Sequence, residues 1–244
     1  MDSVPFSEIR QQFVQDPLSL CNAVPGIWLV NKPRGPSSNF VVTRSRKRIG
    51  TKKVGHAGTL DPMAEGLLVL LAGNATRLFD DMQQFQKTYV ADFCLGQRTD
   101  SGDATGSSLE GWAPTASAPQ DRAEIDALLG RWRGNIEQVP PMHSALKHKG
   151  LPLYRLARKG ATVERKPRLV TVYSLELTRY DGQEGTLTMQ VSSGFYVRVL
   201  IDELGLALGC GAVMTRLVRT RIGPFALEDA EPFVLPPLSG ANTP

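Results

Sequence analysis

The residue best placed to do chemistry is Asp61, in the stretch Gly55-His56-Ala57-Gly58-Thr59-Leu60-Asp61-Pro62. Pro62 has no N–H and a fixed φ, so it biases Asp61 toward an extended backbone and suits the first position of a helical turn. Glycines at 55 and 58 let the backbone approach a ligand without Cβ crowding. Two roles fit the octapeptide alone: a helix N-cap, with Asp61 accepting from the free amides of the next turn, or a reactive carboxylate. From Ile27 to Leu60 there is no Asp or Glu, yet Lys32, Arg34, Arg44, Arg46, Lys47, Arg48, Lys52 and Lys53 all fall there. A lone carboxylate facing cations stays ionised, and an ionised Asp suits nucleophilic attack better than acid catalysis. A two-carboxylate hydrolysis would need a partner such as Asp100, Asp103 or Asp202, and spacing brings none of them to Asp61.

The charge pattern defines the partner. The 244 residues carry a formal net charge of +4, unevenly spread. Besides the segment before Asp61, Arg131 to Arg168 is basic and relieved only by Glu137 and Glu164, and Arg216, Arg219 and Arg221 form a third patch. Acid-poor patches of this kind fit a polyanion, most simply a nucleic acid. A membrane surface fits less well, because no amphipathic helix with a broad apolar face accompanies them. Cys21, Cys94 and Cys210 are scattered and odd in number, which suggests neither a disulfide framework nor a zinc knuckle. His56, His143 and His148 make no metal-ligand spacing. The N-terminus lacks an apolar signal core, and the longest apolar run, Leu67 to Ala72, is too short to span a bilayer. The expectation is a cytoplasmic protein without metal.

Several elements must position these residues. Residues 1–25 show no sustained period and read as a loosely attached extension. Gly26 to Val30 reads as a buried strand. Ser38 is the expected N-cap of a helix to about Ile49 with a basic outer face. Leu67 to Leu71 reads as a core strand and Ala75 to about Phe85 as a helix. Tyr89, Ala91, Phe93 and Leu95 alternate with Val90, Asp92 and Cys94, as in a strand. Thr99 to Gly111 is loop, and Asp121 to Trp132 has helical spacing. Residues 134–168 form a basic excursion holding Pro140-Pro141, with a short helical candidate around Leu153 to Lys159. Strands are expected at Leu169 to Tyr180, Thr186 to Ser192 and Leu217 to Ile222, with a helix from about Tyr196 to Leu208. The pattern indicates α+β with a mixed, mostly antiparallel sheet flanked by helices and loops. The expected domains are an extension (1–25), a catalytic domain (26–230) with an RNA-binding insertion (134–168), and a Pro-rich tail (231–244).

Eight motifs occur in this order: Lys32-Pro33-Arg-Gly-Pro-Ser-Ser, Gly55-His-Ala-Gly-Thr-Leu-Asp61-Pro, Lys87-Thr-Tyr89, Gly96-Gln-Arg-Thr-Asp100-Ser-Gly-Asp103, Pro141-Met-His-Ser-Ala-Leu-Lys147, Ser193-Gly-Phe-Tyr196-Val-Arg198, Leu208-Gly-Cys-Gly-Ala and Arg219-Thr-Arg-Ile-Gly-Pro-Phe. In register, they resemble the TruB family of tRNA pseudouridine synthases from about Gly26 to Ala230. The resemblance implies the pseudouridine synthase fold and an isomerase that detaches uracil from ribose, turns it and rejoins it through C5. The implied target is uridine 55 in the T-loop of tRNA. It implies no cofactor, because an aspartate supplies the covalent chemistry.

The same resemblance assigns roles. Asp61 matches the nucleophile, attacking either uracil C6 or ribose C1′. The target uridine must be flipped out of the T-loop, at a cost of a few kcal/mol. His56 matches the histidine that contacts RNA where the base has left. Tyr89 matches the tyrosine that stacks on the flipped base; alternation alone would pack it in the core. Tyr196 and Leu217 match contacts lining the uracil pocket, though either would pass as a core residue. Arg198 matches the arginine paired with the catalytic aspartate; its rival partner is Asp202, four residues on, in a surface pair worth a few tenths of a kcal/mol. Lys32 and Pro33 match the motif supporting the floor of the site, and Asp100, with Asp103, belongs to a structured turn near it. The excursion falls where the family carries a lobe over the T-arm, so Lys147, Lys149, Arg155, Arg158 and Lys159 would contact phosphates without reading sequence. Recognition would rest on the shape of the folded T-loop.

Many members of the family continue into a small C-terminal RNA-binding domain of the PUA type. This sequence stops soon after Leu227-Glu-Asp-Ala-Glu-Pro, so that domain is expected to be missing, and neither a guide RNA nor an obligate protein partner is expected. Two other functions fit less well. A tRNA-binding folding chaperone would not need Asp61, Tyr89 and Arg198 together, and a nuclease or glycosidase would need a second carboxylate motif.

Overall fold

The computed structural model describes residues 4–148, 150–157 and 159–234. The chain divides into two compact units, one formed by residues up to Arg77 and from Leu227 onward, the other by Leu78–Ala226.

The first unit is built on β1 (Gly26–Lys32), β2 (Val54–His56) and β3 (Glu65–Ala72). β3 pairs antiparallel with both β1 and β2. From Leu67 to Ala72 every side chain is buried, which is why this strand reads as a continuous apolar run rather than an alternation. Helix α2 (Ser38–Ile49) turns Val41, Val42, Ser45 and Ile49 inward and stops at Gly50, whose φ of 78° is left-handed. Its N-cap is Ser37, not Ser38: the Ser37 hydroxyl accepts the Phe40 N–H, and Ser38 is the first helical residue, buried.

Residues 4–25 are not loosely attached. Helix α1 (Phe6–Gln15) and a 3₁₀ turn (Pro17–Leu20) bury Ile9, Phe13 and Leu20, and Asn74 donates to the Val4 carbonyl. Phe6, Ile9 and Phe13 recur at helical spacing, and burial of the last two seats the helix. After Leu227, a two-residue strand β12 (Glu231–Pro232) pairs parallel with β1. Phe233 packs edge-on against Phe40, and Glu231 pairs with Arg48. Residues 235–244 of the expected tail lie outside the described residues.

The second unit is entered through a 3₁₀ stretch (Gly73–Leu78) and the short helix α3 (Phe79–Gln83), where one continuous helix was expected. Its antiparallel strands are β4 (Lys87–Leu95), β5 (Gly134–Gln138), β8 (Arg168–Tyr180), β9 (Glu184–Val191) and β10 (Ala212–Ile222), in the order β10-β4-β9-β8-β5. A short β11 (Phe225–Ala226) folds back on β10. Helices α4 (Arg122–Leu129), capped by the Asp121 carboxylate, and α6 (Val197–Ala207) bury Ile125 and Leu129, and Leu200, Ile201 and Leu204. At Gly205 of α6 a Cβ would lie 2.0 Å from the Ala212 nitrogen, so the helix can approach the start of β10 only with glycine there.

Gly134–Gln138, expected within the excursion, is a sheet strand paired with β8. It escapes a periodicity reading because an edge strand with one covered end needs few apolar residues. The segment outside the sheet is therefore 139–167, with the hairpin β6 (Lys147–His148) and β7 (Leu151–Pro152) followed by α5 (Leu153–Ala157). With parallel β1–β12 pairing beside the antiparallel pairs of β1, β2 and β3 and of β4, β5, β8, β9 and β10, the α+β mixed-sheet expectation is met. No helix among the described residues is long and apolar enough to cross a membrane.

Candidate active site

In the first unit, Asp61 sits half-buried between β2 and β3. No helix follows for it to cap: the chain makes one turn, closed by the Ala64 N–H on the Asp61 carbonyl at 3.1 Å, and enters β3. The residues on either side are held through their backbones. Leu60 exchanges two hydrogen bonds with the Ser38 hydroxyl, both 2.8 Å. The Pro62 carbonyl accepts the Gly35 N–H at 2.7 Å. Lys32, fully buried at the end of β1, donates through Nζ to the Pro33 and Pro36 carbonyls at 3.0 and 2.9 Å, and at a longer 3.5 Å to Pro62. Lys32 and Pro33 thus shape the loop against which the Asp61 turn lies. His56 ends β2, opposite Leu70 and half-buried.

In the second unit, Arg198 lies on the buried face of α6, 4% exposed. Its Nη1 donates to the Ser101 carbonyl and Nη2 to the His143 carbonyl, each at 2.8 Å. The Asp103 carboxylate, also buried, is 3.7 Å from its Nε. The rival pairing with Asp202 does not occur. Asp202 is taken by Arg98 in a two-pronged contact at 2.7 and 2.8 Å, a fork that a planar guanidinium favours. Asp103 also accepts from Thr105 N–H and the Ser101 hydroxyl. A Cβ on Gly102 between them would meet Arg198 only at ordinary contact distance, and it is the φ of 74° that favours glycine there. The expected structured turn is therefore there, but the carboxylate that faces Arg198 is Asp103. Asp100 is exposed and accepts the Ser107 N–H. The sequence singles out Asp103 only as one of several carboxylates, since nothing local shows which of two aspartates three residues apart points inward.

Tyr89, Ala91, Phe93 and Leu95 share one face of β4. Ala91, Phe93 and Leu95 are buried, whereas Tyr89 is only half-buried. Among these four aligned side chains the face is least covered at the tyrosine. Across the β4–β10 pairing Tyr89 faces Arg219 and Ala91 faces Leu217, making Tyr89 and Leu217 diagonal neighbours on that face. Buried Lys87 lies on the same face, its Nζ donating to the Phe85 carbonyl. Burial, and then the charge of Arg219, push its pKa down to about 8. Tyr196 is the N-cap residue of α6 and half-buried. Its backbone N–H and C=O are both bonded by the side chain of Gln138, at 2.9 and 3.2 Å. Gln138, 1% exposed, has no signal in the sequence that would mark it out.

Of the basic set, Arg155 on α5 and Lys159 after it are exposed. Lys147 lies in β6; Lys149 and Arg158 fall outside the described residues. In the first unit the outward side chains of α2 (Arg44, Arg46, Lys47 and Arg48) are exposed with Arg34, Lys52 and Lys53. Among the described residues no group of three or more His, Cys, Asp and Glu is arranged to hold a metal ion.

Comparison with known proteins bears on this arrangement. The sequence model described as TruB family pseudouridylate synthase (N terminal domain) matches residues 46–197, and that described as tRNA pseudouridylate synthase B C-terminal domain matches residues 198–236. A tRNA pseudouridine synthase B of Bordetella pertussis is 43% identical over 208 residues, 85% of each chain. One of Burkholderia lata is 47% identical over 205 residues, covering 84% of this chain and 62% of that one. Among solved structures, a chain of "Crystal Structure of a Cbf5-Nop10-Gar1 Complex" superimposes with a TM-score of 0.64 at 30% identity, over 94% of this chain and 54% of that one. A chain of "Structure of H/ACA RNP bound to a substrate RNA containing 2'-deoxyuridine" gives 0.62 at 27% identity, over 90% and 53%. The chain thus spans about half the length of those two structures. The fold is that of the pseudouridine synthases, and on the extent of the sequence match the chain belongs to the TruB family of pseudouridylate synthases.

Proposed function

We propose that this protein isomerises uridine to pseudouridine in tRNA, at position 55 of the T-loop. The observation that carries the reading is the family match over residues 46–197, which contains Asp61, Tyr89 and Tyr196 and meets the second match at Arg198. Asp61 is the nucleophile, and Arg198 contributes a fixed positive charge to the reaction. The carboxylate forms a bond to uracil C6 or to ribose C1′, and the N1–C1′ bond breaks. The uracil turns, C5 bonds to C1′, the C5 proton is lost and N1 gains one, and the aspartate is released unchanged. No net oxidation or added group is required. Tyr89 stacks on the flipped base, an interaction worth about 1–3 kcal/mol. Tyr196 and Leu217 line the pocket, and His56 contacts the RNA that the base has left.

The phosphate backbone is held by Lys147, Lys149, Arg155, Arg158 and Lys159 and by the exposed cations of α2, contacts that position RNA without reading it. The test is pseudouridine mapping of tRNA transcripts and of an isolated T-arm after incubation with purified protein. Pseudouridine at position 55 in both is the expected outcome. Modification only elsewhere would overturn the position, and none at all would overturn the activity.

A further inference from the structure

Ser38 is the residue that the sequence offers as a helix cap and the structure relieves of that duty. Ser37 caps α2, leaving the Ser38 hydroxyl, 2% exposed, directed into the unit. One hydroxyl supplies a donor and two acceptor lone pairs, and Ser38 uses both capacities on a single residue: it donates to the Leu60 carbonyl and accepts the Leu60 N–H. Leu60 immediately precedes Asp61 and is itself buried. On the far side, the Pro62 carbonyl is held by Gly35, whose φ of 111° is a conformation that only glycine takes readily.

We infer that Ser38 is a positioning residue for the nucleophile: its two bonds to Leu60 set where the Asp61 carboxylate stands in the first unit. The inference rests on the proposed role of Asp61. Asp61 lies in a turn, with neither helix nor strand to fix its direction. Rotation of the peptide at Leu60 is passed straight to its Cα, and a displacement of about 1 Å in a reacting group can cost on the order of 100-fold in rate. A hydroxyl that engages both polar groups of one residue resists such rotation in either sense, which a single hydrogen bond does not.

The experiment compares wild type, Ser38→Ala, Ser38→Cys and Ile49→Val. Ile49 is buried at the opposite end of the same helix, so Ile49→Val serves as the stability control. Single-turnover pseudouridine formation is measured with enzyme in excess, together with tRNA affinity, thermal midpoint and hydrogen exchange of segment 57–64. Ser38→Ala is expected to lower the single-turnover rate by about 10- to 100-fold, with tRNA affinity within about twofold, and to speed exchange at Leu60. Ser38→Cys, close in size but a weak hydrogen-bonding partner, should fall between it and wild type and stands in if the alanine variant does not fold. Ile49→Val should lose thermal stability and keep its rate. A Ser38→Ala rate within twofold of wild type, or an equal loss in Ile49→Val, would overturn the inference. A wild type that forms no pseudouridine would remove the proposed function as well, which separates the two failures.

Discussion

In the first unit the Asp61 turn is held by hydrogen bonds to main chain, from Ser38 on Leu60 and from Gly35 and, at longer range, Lys32 on Pro62, and Asp61 is half-buried. In the second unit Arg198 is held through its own guanidinium, by two carbonyls and a buried carboxylate, and is itself buried. Bonds to the main chain of its neighbours set the path of the backbone through Asp61. A buried guanidinium is fixed by its own donors, because leaving them unsatisfied would be costly.

Four substitutions press on this contrast, in decreasing order of effect. Asp61→Asn preserves the turn and the bonds on Leu60 and Pro62 while removing the proposed nucleophile. Pseudouridine formation is expected to fall by more than about a thousandfold, with tRNA binding by filter retention largely intact. Substantial turnover by this variant would sink the assignment of Asp61. Arg198→Lys keeps the charge but has no fork to reach Ser101 and His143 together. A loss on the order of 100-fold in single-turnover rate is expected, and wild-type turnover would show that the fixed geometry is dispensable.

Gln138→Leu strips the two bonds to Tyr196, whose carbonyl still accepts from the Val199 and Leu200 N–H groups. It should lower stability by about 1–3 kcal/mol in denaturant unfolding. An unchanged midpoint would mean the reciprocal clamp is replaced at no cost.

The smallest effect concerns Lys87. Its folded-state pKa is lowered from 10.5 to about 8 by burial and by Arg219. Between those pH values the unfolded chain therefore holds the proton that the folded chain has lost, and stability rises with pH. Thermal melts of wild type relative to Lys87→Met should show the wild type gaining from pH 8 to 10.5; a parallel pair of curves would refute the shift.

Much of the scaffold was legible from local pattern. The apolar run at Leu67, the alternation from Tyr89 to Leu95 and the helical spacing from Asp121 all correspond to elements in the structure. Misreadings occurred where local signals were equivocal or sparse. Ser37 and Ser38 are chemically equal candidates for one cap, and only packing of the second against Leu60 tells them apart. Gly134–Gln138 has too few apolar residues to announce a strand, yet β8 supplies its partner. Asp202 stands four residues from Arg198 on one helix, as in many surface pairs, but burial turns Arg198 inward and leaves Asp202 to Arg98.

The sequence by itself determined the α+β class, the basic surface, the family and the residues worth suspecting, because composition, periodicity and motif order are written along the chain. Tertiary structure decided which side chains hold the suspects in place. Ser38 reaches Leu60 across 22 residues, Gln138 reaches Tyr196 across 58 and Arg98 reaches Asp202 across 104. A hydrogen bond depends on distance and direction in space, to within a few tenths of an ångström. Separation along the chain carries neither.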